Sequence, residues 1–214
     1  AHGRGQAVFL LGFSGSEAAA RADAALLMRQ DPGQMEREVR ALWQKRLGGL
    51  TLFAGEEDAE RMMNVWLPCQ VLSARLFARM GPYQAGGAIG FRDQLQDLLI
   101  LLHTDPDYAR RHILSCAAHQ FQEGDVQHWW HPPRRGVRTR ISDDRLFLPF
   151  MTARYVKITG DQGILREKAP YLESAPLLPE EQDRYEEPGA AALEETLLQH
   201  CVRAIDSVRF GVHG

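Results

Sequence analysis

Apolar residues recur at three- and four-residue spacing through most of the chain, and this spacing limits the fold more than any other feature. The segments that show it are 17–30, 35–47, 91–102, 109–120, 142–159 and 190–208. Residues 56–80 are apolar almost all round, and such a helix needs other helices around it. The pattern predicts seven or eight helices arranged as helical hairpins, with at most one short strand, in residues 7–13.

Helix caps and helix breakers divide these segments. They are Asp31-Pro32, Gly48-Gly49, Gly81-Pro82, Asp105-Pro106 and Gly160-Asp161. Pro68 falls within the apolar segment 56–80 and should kink its helix. Residues 122–141 follow neither the helical nor the strand period, which predicts a long loop of a kind that is often functional. We therefore predict an all-α fold with an extended N-terminal segment over residues 1–13 and one helical domain over residues 14–214.

Composition excludes several classes of protein. The chain has 25 Lys and Arg against 28 Asp and Glu, a formal net charge of −3, so it is not a polycation built for nucleic acid. Its longest apolar runs, among them 98–102, are far shorter than the ~18 residues of a membrane span, and no signal peptide is evident. Cys69, Cys116 and Cys201 lie too far apart for a Cys-x-x-Cys site and are odd in number. We expect a cytoplasmic protein with reduced thiols.

Two tryptophans stand side by side in the polar segment 122–141. An indole can stack on the apolar face of a sugar ring while polar neighbours bind its hydroxyls, so Trp129 and Trp130 are candidate sugar-binding residues. The alternative is a hydrophobic wedge that closes a gap between helices. Both interpretations remain open at this point.

The same segment has carboxylate and imidazole groups at three-residue steps. Asp125, His128 and His131 are types that bind metal ions. Paired histidine ligands usually lie one helical turn apart, however, and Pro132-Pro133 interrupts any helix here. We therefore expect hydrogen-bonded histidines and no metal.

Basic and acidic residues follow directly. Four arginines form a patch that suits phosphate or carboxylate oxygens: Arg134, Arg135, Arg138 and Arg140. Asp143 and Asp144 come next, where the charge of one carboxyl can keep its neighbour protonated, as a general acid requires. The helix start that they occupy favours the ionised form, so one of the two would equally serve as a cap. Pairing between these arginines and aspartates is the simpler alternative.

A second acidic and basic pair follows a glycine-rich turn. Arg92 and Asp93 should stand at the start of the next helix. There Asp93 can accept hydrogen bonds from two sugar hydroxyls while Arg92 fixes its orientation, or the two can form a salt-bridged cap.

Three stretches together resemble the catalytic region of glycoside hydrolase family 94. They are YQAGGAIGFRDQ at 83–94, EGDVQHWWHPP at 123–133 and GVRTRISDDRLFL at 136–148. The family contains cellobiose and chitobiose phosphorylases, β-1,2-oligoglucan phosphorylases and the phosphorylase-like part of cyclic β-1,2-glucan synthases. The similarity is dense over residues 64–161 and weaker on either side.

The resemblance implies an (α/α)6 barrel and inverting phosphorolysis, in which inorganic phosphate attacks the anomeric carbon while one carboxylic acid protonates the departing oxygen. It assigns the general acid to Asp143, with Asp144 as the alternative. Arg92 and Asp93 match the residues that hold the non-reducing-end sugar. The remaining substrate-binding residues that it implies are Trp129, Trp130, His131, Arg138 and Arg140. No cofactor is expected beyond inorganic phosphate or glucose 1-phosphate as co-substrate, with a β-linked glucooligosaccharide as partner.

The chain departs from the family pattern in two ways. Residues 85–90 carry no charge, whereas disaccharide phosphorylases have an arginine there, and this favours the β-1,2-glucan members. Six helical hairpins need about twelve helices, so the barrel is predicted to be incomplete, with apolar faces covered in a homodimer or by a missing catalytic half. The alternative to a phosphorylase is a non-catalytic glycan-binding or assembly remnant of the same fold.

Overall fold

Among the described residues of the first of two compact units, helices are the only regular secondary structure. A computed structural model describes residues 7–78 and 86–208, and the chain divides into units Ala1–Arg46 and Leu47–Gly214. Helices α1, Glu17–Leu27, and α2, Pro32–Leu47, account for the first unit. Ser16 caps α1 by accepting a hydrogen bond from the Ala19 amide. Neither helix buries a side chain.

Five further helices are described in the second unit. They are α3 (57–77), α4 (91–104), α5 (Pro106–Ala117), α6 (Ser142–Thr159) and α7 (Leu197–Asp206). Helix α3 contains two π-helical turns, Met62–Trp66 and Val71–Phe77, on either side of the short α-helical segment that holds Pro68. Proline cannot donate a helix hydrogen bond, and wider turns are common where the α-helical ladder is interrupted. The expected Gly81-Pro82 break lies outside the described residues.

Within the described residues, six strands form two antiparallel sheets. The first has the order β1–β2–β3–β5, with β1 Ile89–Gly90, β2 Gln127–His131, β3 Arg135–Thr139 and β5 Asp183–Glu186. The second pairs β4, Lys168–Glu173, with β6, Gly189–Thr196. The fold is therefore mixed α/β.

The all-α prediction, and with it the incomplete (α/α)6 barrel, is wrong. Residues 122–141, expected to be a loop, hold the β2–β3 hairpin. Their sequence shows no strand period because a bulge between Gln127 and Trp129 breaks the alternation of side chains. Residues 190–208, expected to be one helix, hold most of β6 and then α7. Pairing with β4 overrides the helix propensity of the alanines and glutamates in β6. Residues 7–13 contain no strand.

The core lies where α6 meets α4, α5 and α7. Its buried side chains include Phe91, Leu95, Leu98, Ile113, Cys116, Leu148, Met151, Leu197 and Ala204. Gly160 ends α6 with a positive φ of 75°, which glycine adopts without strain. This packing fixes the start of α6 against the start of α4, where the candidate site lies.

Apolar side chains are also exposed on three helices of the second unit. They are Met62, Met63, Val65 and Trp66 on α3, Leu146 and Phe150 on α6, and Leu198, Val202 and Ile205 on α7. The predicted homodimer, or a missing catalytic half, stays a prediction.

Candidate functional site

Sheet topology brings together residues that are far apart in sequence. Strands β1 and β3 both pair antiparallel with β2, so they run in the same direction and leave the sheet at the same edge. Strand β1 continues into α4 and β3 continues into α6. The helix starts that carry Arg92 and Asp93, and Asp143 and Asp144, therefore meet beside the first residues of β2. We call Arg92, Asp93, His128, Asp143 and Asp144 the acid cluster.

Arg92 and Asp143 form the open part of the acid cluster. Arg92 Nε lies 3.4 Å from Asp143 Oδ2, and about half of each side chain is exposed, 46% and 52%. The Arg92 guanidinium also lies over the Phe147 ring, 5.1 Å from its centroid. Because the ring orients the guanidinium, Asp143 is held at the surface without being enclosed.

Asp93 lies beside this pair and is the most exposed carboxylate of the cluster. Arg75 of α3 approaches it to 3.5 Å and bonds Asp97 at 2.9 Å, and 63% of the Asp93 side chain is exposed. A Cβ at Gly90 would lie 2.7 Å from Asp93 Oδ2, so the missing side chain gives the carboxylate room over the helix start. Asp93 can therefore accept hydrogen bonds from a ligand.

Asp144 has the opposite environment, although it is the next residue. Its side chain is only 2% exposed, and His128 Nδ1 donates a hydrogen bond to its Oδ2 at 2.8 Å. His128 is the extra residue of the β2 bulge, which directs its imidazole towards α6. The hydrogen bond to Asp144 raises the pKa of His128, against the effect of burial, and the charges of Asp93 and Asp143 add to the rise. Asp144 thus anchors His128 and is withdrawn from solvent.

The two adjacent tryptophans lie in different environments. Trp130 is 2% exposed, stacks on His119 at 3.7 Å and contacts the edge of Phe91. Trp129 is partly exposed and contacts the Tyr185 ring at 5.8 Å. Trp130 is thus the wedge of the alternative interpretation, and Trp129 alone of the two is available to a ligand.

His131 lies beside Trp129. Its ring contacts Trp129 edge-on at 5.6 Å, and its Nε2 donates a hydrogen bond to the Gly86 carbonyl at 2.9 Å. A Cβ at Gly136 would lie 2.1 Å from the Trp129 carbonyl oxygen, so the close pairing of β2 with β3 requires glycine at this position.

Arg138 lies inside the protein. Its side chain is 2% exposed and donates two hydrogen bonds to Asp125, at 2.7 and 2.8 Å, and one to Glu123 at 2.9 Å. Its guanidinium also stacks on Phe121 at 3.9 Å and bonds Ser174 at 3.2 Å. Burial lowers its pKa, but the two carboxylates outweigh burial and raise it. We call these five residues the Arg138 network.

Arg140 holds a neighbouring loop. It donates hydrogen bonds to the carbonyl oxygens of Leu177, Leu178 and Glu181. Arg138 and Arg140 both line a cleft of about 620 Å³. The N–H groups of both arginines are directed at protein acceptors. Arg145 also lines the cleft, and within the described residues its buried Nε has no hydrogen-bond partner.

The three residues considered for a metal each have a different partner. Asp125 binds Arg138, His128 binds Asp144, and His131 binds the Gly86 carbonyl. Within residues 7–78 and 86–208, no group of three or more His, Cys, Asp or Glu side chains is arranged to hold a metal ion. In the same ranges, no helix is long and apolar enough to cross a membrane.

Sequence reasoning missed two residues at this edge. Tyr185 reaches Trp129 from β5, and His128, for which a hydrogen bond was expected, has Asp144 as a partner that the sequence did not indicate. No spacing in the sequence links Tyr185 to Trp129, because the register of β3 with β5 brings them together. The bulge that aims His128 is likewise invisible without the pairing of β2 with β3.

The sequence comparisons agree on one family. The model of the glycosyl hydrolase 94 superfamily catalytic domain matches residues 42–213. The chain is 40% identical over 212 residues to the cyclic beta-(1,2)-glucan synthase NdvB of Rhizobium meliloti (strain 1021), covering 98% of the chain and 8% of that protein.

Phosphorylases are among its other relatives. Identity is 21% over 193 residues to the N,N'-diacetylchitobiose phosphorylase of Vibrio furnissii, covering 77% of the chain and 22% of that protein. It is 34% over 110 residues to the solabiose phosphorylase of Paenibacillus borealis, covering 51% of the chain and 13% of that protein. The chain therefore spans between 8% and 22% of the length of these relatives.

Proposed function

Because the chain belongs to the glycosyl hydrolase 94 superfamily, we propose that it carries the acid-bearing part of an inverting β-glucan phosphorylase site. The reaction is the attack of inorganic phosphate on the anomeric carbon of a β-glucoside, which yields α-glucose 1-phosphate. A carboxylic acid donates its proton to the departing glycosidic oxygen. Phosphate is already anionic, so one carboxyl suffices where inverting hydrolysis uses two.

The contrast between Asp143 and Asp144 carries the proposal. A general acid must reach the glycosidic oxygen, and Asp143 is half exposed beside the Arg92 guanidinium. Asp144 is enclosed and occupied by His128. Asp143 is therefore the proton donor, and Asp144 is the fixed carboxylate beneath it.

Arg92 and Asp93 supply the sugar contacts of this proposal. Asp93 accepts hydrogen bonds from hydroxyls of the non-reducing-end glucose, and Arg92 donates to the same sugar while holding Asp143 in place. Trp129 provides an apolar face at the adjacent strand. All three lie at the sheet edge where α4 and α6 begin.

The similarity to a cyclic beta-(1,2)-glucan synthase favours a β-1,2-linked substrate. The uncharged segment 85–90 supports the same choice, since disaccharide phosphorylases of the family have an arginine there. Other β-linked glucans serve as comparison substrates in the test below.

Phosphorus NMR tests the proposal directly. The protein is incubated with inorganic phosphate and β-1,2-, β-1,3- or β-1,4-linked glucooligosaccharides, and the spectrum is followed for α-glucose 1-phosphate. We expect the signal with the β-1,2-linked oligosaccharides and none with the Asp143→Asn variant. A folded chain that forms no sugar phosphate from any of the glucans would refute a phosphorylase activity for this chain.

Glycan binding without turnover is the second candidate function. It is favoured by the short span of the chain relative to its relatives, since phosphate-binding groups of a complete site can lie in sequence that this chain does not match. Glucan binding that depends on Asp93 but yields no glucose 1-phosphate would identify this case.

A further inference from the structure

A row of four residues, two of them aromatic, crosses the outer face of the first sheet. The register pairs Gly90 with Trp129, Trp129 with Val137, and Val137 with Tyr185, so the four residues lie side by side on β1, β2, β3 and β5. Cross-strand neighbours project to the same face of a sheet. The Trp129 and Tyr185 rings meet above Val137, with centroids 5.8 Å apart and planes tilted by 39°.

This face is open to solvent. Tyr185 is 57% exposed and Trp129 is partly exposed, whereas Trp130 on the opposite face is buried against His119. Gly90 adds no side chain at the end of the row nearest α4. A ligand lying on the rings can therefore reach the helix start that carries Arg92.

We propose that Trp129 and Tyr185 form a platform on which a β-linked glucan chain lies as it extends away from the acid cluster. This inference rests on the proposed function, to which it adds a binding subsite. Trp129 follows His128 directly, and His128 bonds Asp144, so the platform begins at the cluster. The Trp129 indole N–H and the Tyr185 hydroxyl stand at the ring margins, where sugar hydroxyls of a stacked ring would lie.

The charges around the platform suit a neutral ligand. Arg135, two residues from Val137 and on the same face of β3, pairs with Glu187 at 2.7 Å. This guanidinium is already matched by a carboxylate, so the rim offers little net charge to an anion. Two aromatic faces with hydrogen-bonding margins instead fit an uncharged polyhydroxylated chain.

Calorimetric titration measures the platform apart from catalysis. The parent protein is Asp143→Asn, which prevents turnover, and the ligands are tetrasaccharides of β-1,2-, β-1,3- and β-1,4-linked glucose. We expect Tyr185→Ala to raise the dissociation constant of the preferred tetrasaccharide roughly tenfold or more, because a stacked ring is lost. Tyr185→Phe keeps the ring and should change the dissociation constant by less than about threefold.

Two further variants separate a platform from a general disturbance. Trp129→Phe retains a smaller aromatic face and should fall between Tyr185→Phe and Tyr185→Ala. Trp66→Ala removes a tryptophan that is 56% exposed on α3, outside the row, and should bind like the parent. Circular dichroism and the melting temperature establish that each variant is folded.

The outcomes for the platform and for the proposed function are distinct. The platform is wrong if Tyr185→Ala binds like the parent, if Trp66→Ala weakens binding equally, or if the parent binds none of the glucans. Binding that depends on Tyr185, in a chain that forms no glucose 1-phosphate, would retain the platform and refute the phosphorylase activity.

Discussion

The acid cluster and the Arg138 network each combine arginine with carboxylates, and each includes one residue of the β2–β3 hairpin, yet they differ in what their charges face. Arg138 is 2% exposed and bonds two carboxylates of its own chain, whereas Arg92 is 46% exposed and meets Asp143 at 3.4 Å. An enclosed and fully matched ion pair fixes structure. An open pair retains donors and acceptors for a ligand.

The comparison also separates two adjacent carboxylates. Asp144 belongs to the acid cluster by position but is enclosed and matched like the Arg138 network. Of these two carboxylates, only Asp143 combines a neighbouring cation with exposure. In this region, whether a charged side chain can meet a ligand or only supports the structure depends on its exposed fraction and on the partner it already has. The residue type matters less.

Removing Arg138 should give the largest change in stability. Arg138→Met leaves Asp125 and Glu123 without their buried cation, so the free energy of unfolding should fall by about 3–5 kcal/mol. Urea denaturation followed by circular dichroism measures the change. Arg135→Met on the same strand is the matched control, because Arg135 forms an exposed pair, and its midpoint should stay close to that of the wild type. Equal losses in both variants would contradict the contrast between the enclosed and the open ion pair.

Asp143→Asn should show the reverse behaviour, with a large loss of rate and little loss of stability. Phosphorolysis should slow by roughly 10²–10⁴-fold, because the amide keeps the volume but cannot donate the acid proton. The glucose 1-phosphate assay and the melting temperature are measured on one preparation. Asp144→Asn is the paired variant. It weakens the buried acceptor of the His128 hydrogen bond, so the free energy of unfolding should fall by about 1–3 kcal/mol. A rate loss confined to Asp144→Asn would exchange the two assignments.

The pKa values of two histidines should be shifted in opposite directions from the ordinary value of an imidazole. Burial lowers the pKa of His119 to about 4, while the hydrogen bond to Asp144 raises that of His128. NMR titration of the imidazole signals measures both in one sample. Asp144→Asn should lower the pKa of His128 and leave that of His119 unchanged. A pKa of His128 unaltered by this substitution would contradict the hydrogen bond.

The same shifts give opposite contributions to stability. For His119 the unfolded chain binds a proton more readily, so as pH falls from about 6.5 to 4 this group lowers the free energy of unfolding by roughly 3 kcal/mol. The contribution of His128 is fully present below about pH 6.5 and is lost as pH rises through its raised pKa. Urea denaturation of wild type and His119→Gln at several pH values tests the first part, since the variant should depend less on acid.

Arg92→Lys should give the smallest effect. Lysine keeps the charge but loses the planar group that lies over Phe147 and approaches Asp143. We expect KM for the glucan to rise about tenfold or less, with little change in melting temperature, because both side chains are substantially exposed. A large loss of stability instead would assign Arg92 to structural support.

Sequence reasoning succeeded where a pattern is local. The amphipathic segments 17–30, 109–120 and 142–159 predicted helices that the structure has at Glu17–Leu27, Pro106–Ala117 and Ser142–Thr159. The three motifs identified the family that the comparisons confirm. Reasoning failed at the β2–β3 hairpin and at β6. Strand pairing is a contact between distant segments, and a single bulge shifts the side-chain period that would reveal it.

Local patterns in the sequence indicate most of the helices, the family and the short list of acidic and basic residues near each helix start, because these depend on neighbours along the chain. Which of these residues lie together depends on the fold. It brought Arg92 to Asp143, enclosed Asp144 with His128, buried Trp130 and placed Tyr185 beside Trp129. The physical reason is that exposure and pairing depend on sheet register and helix packing, which no local spacing encodes.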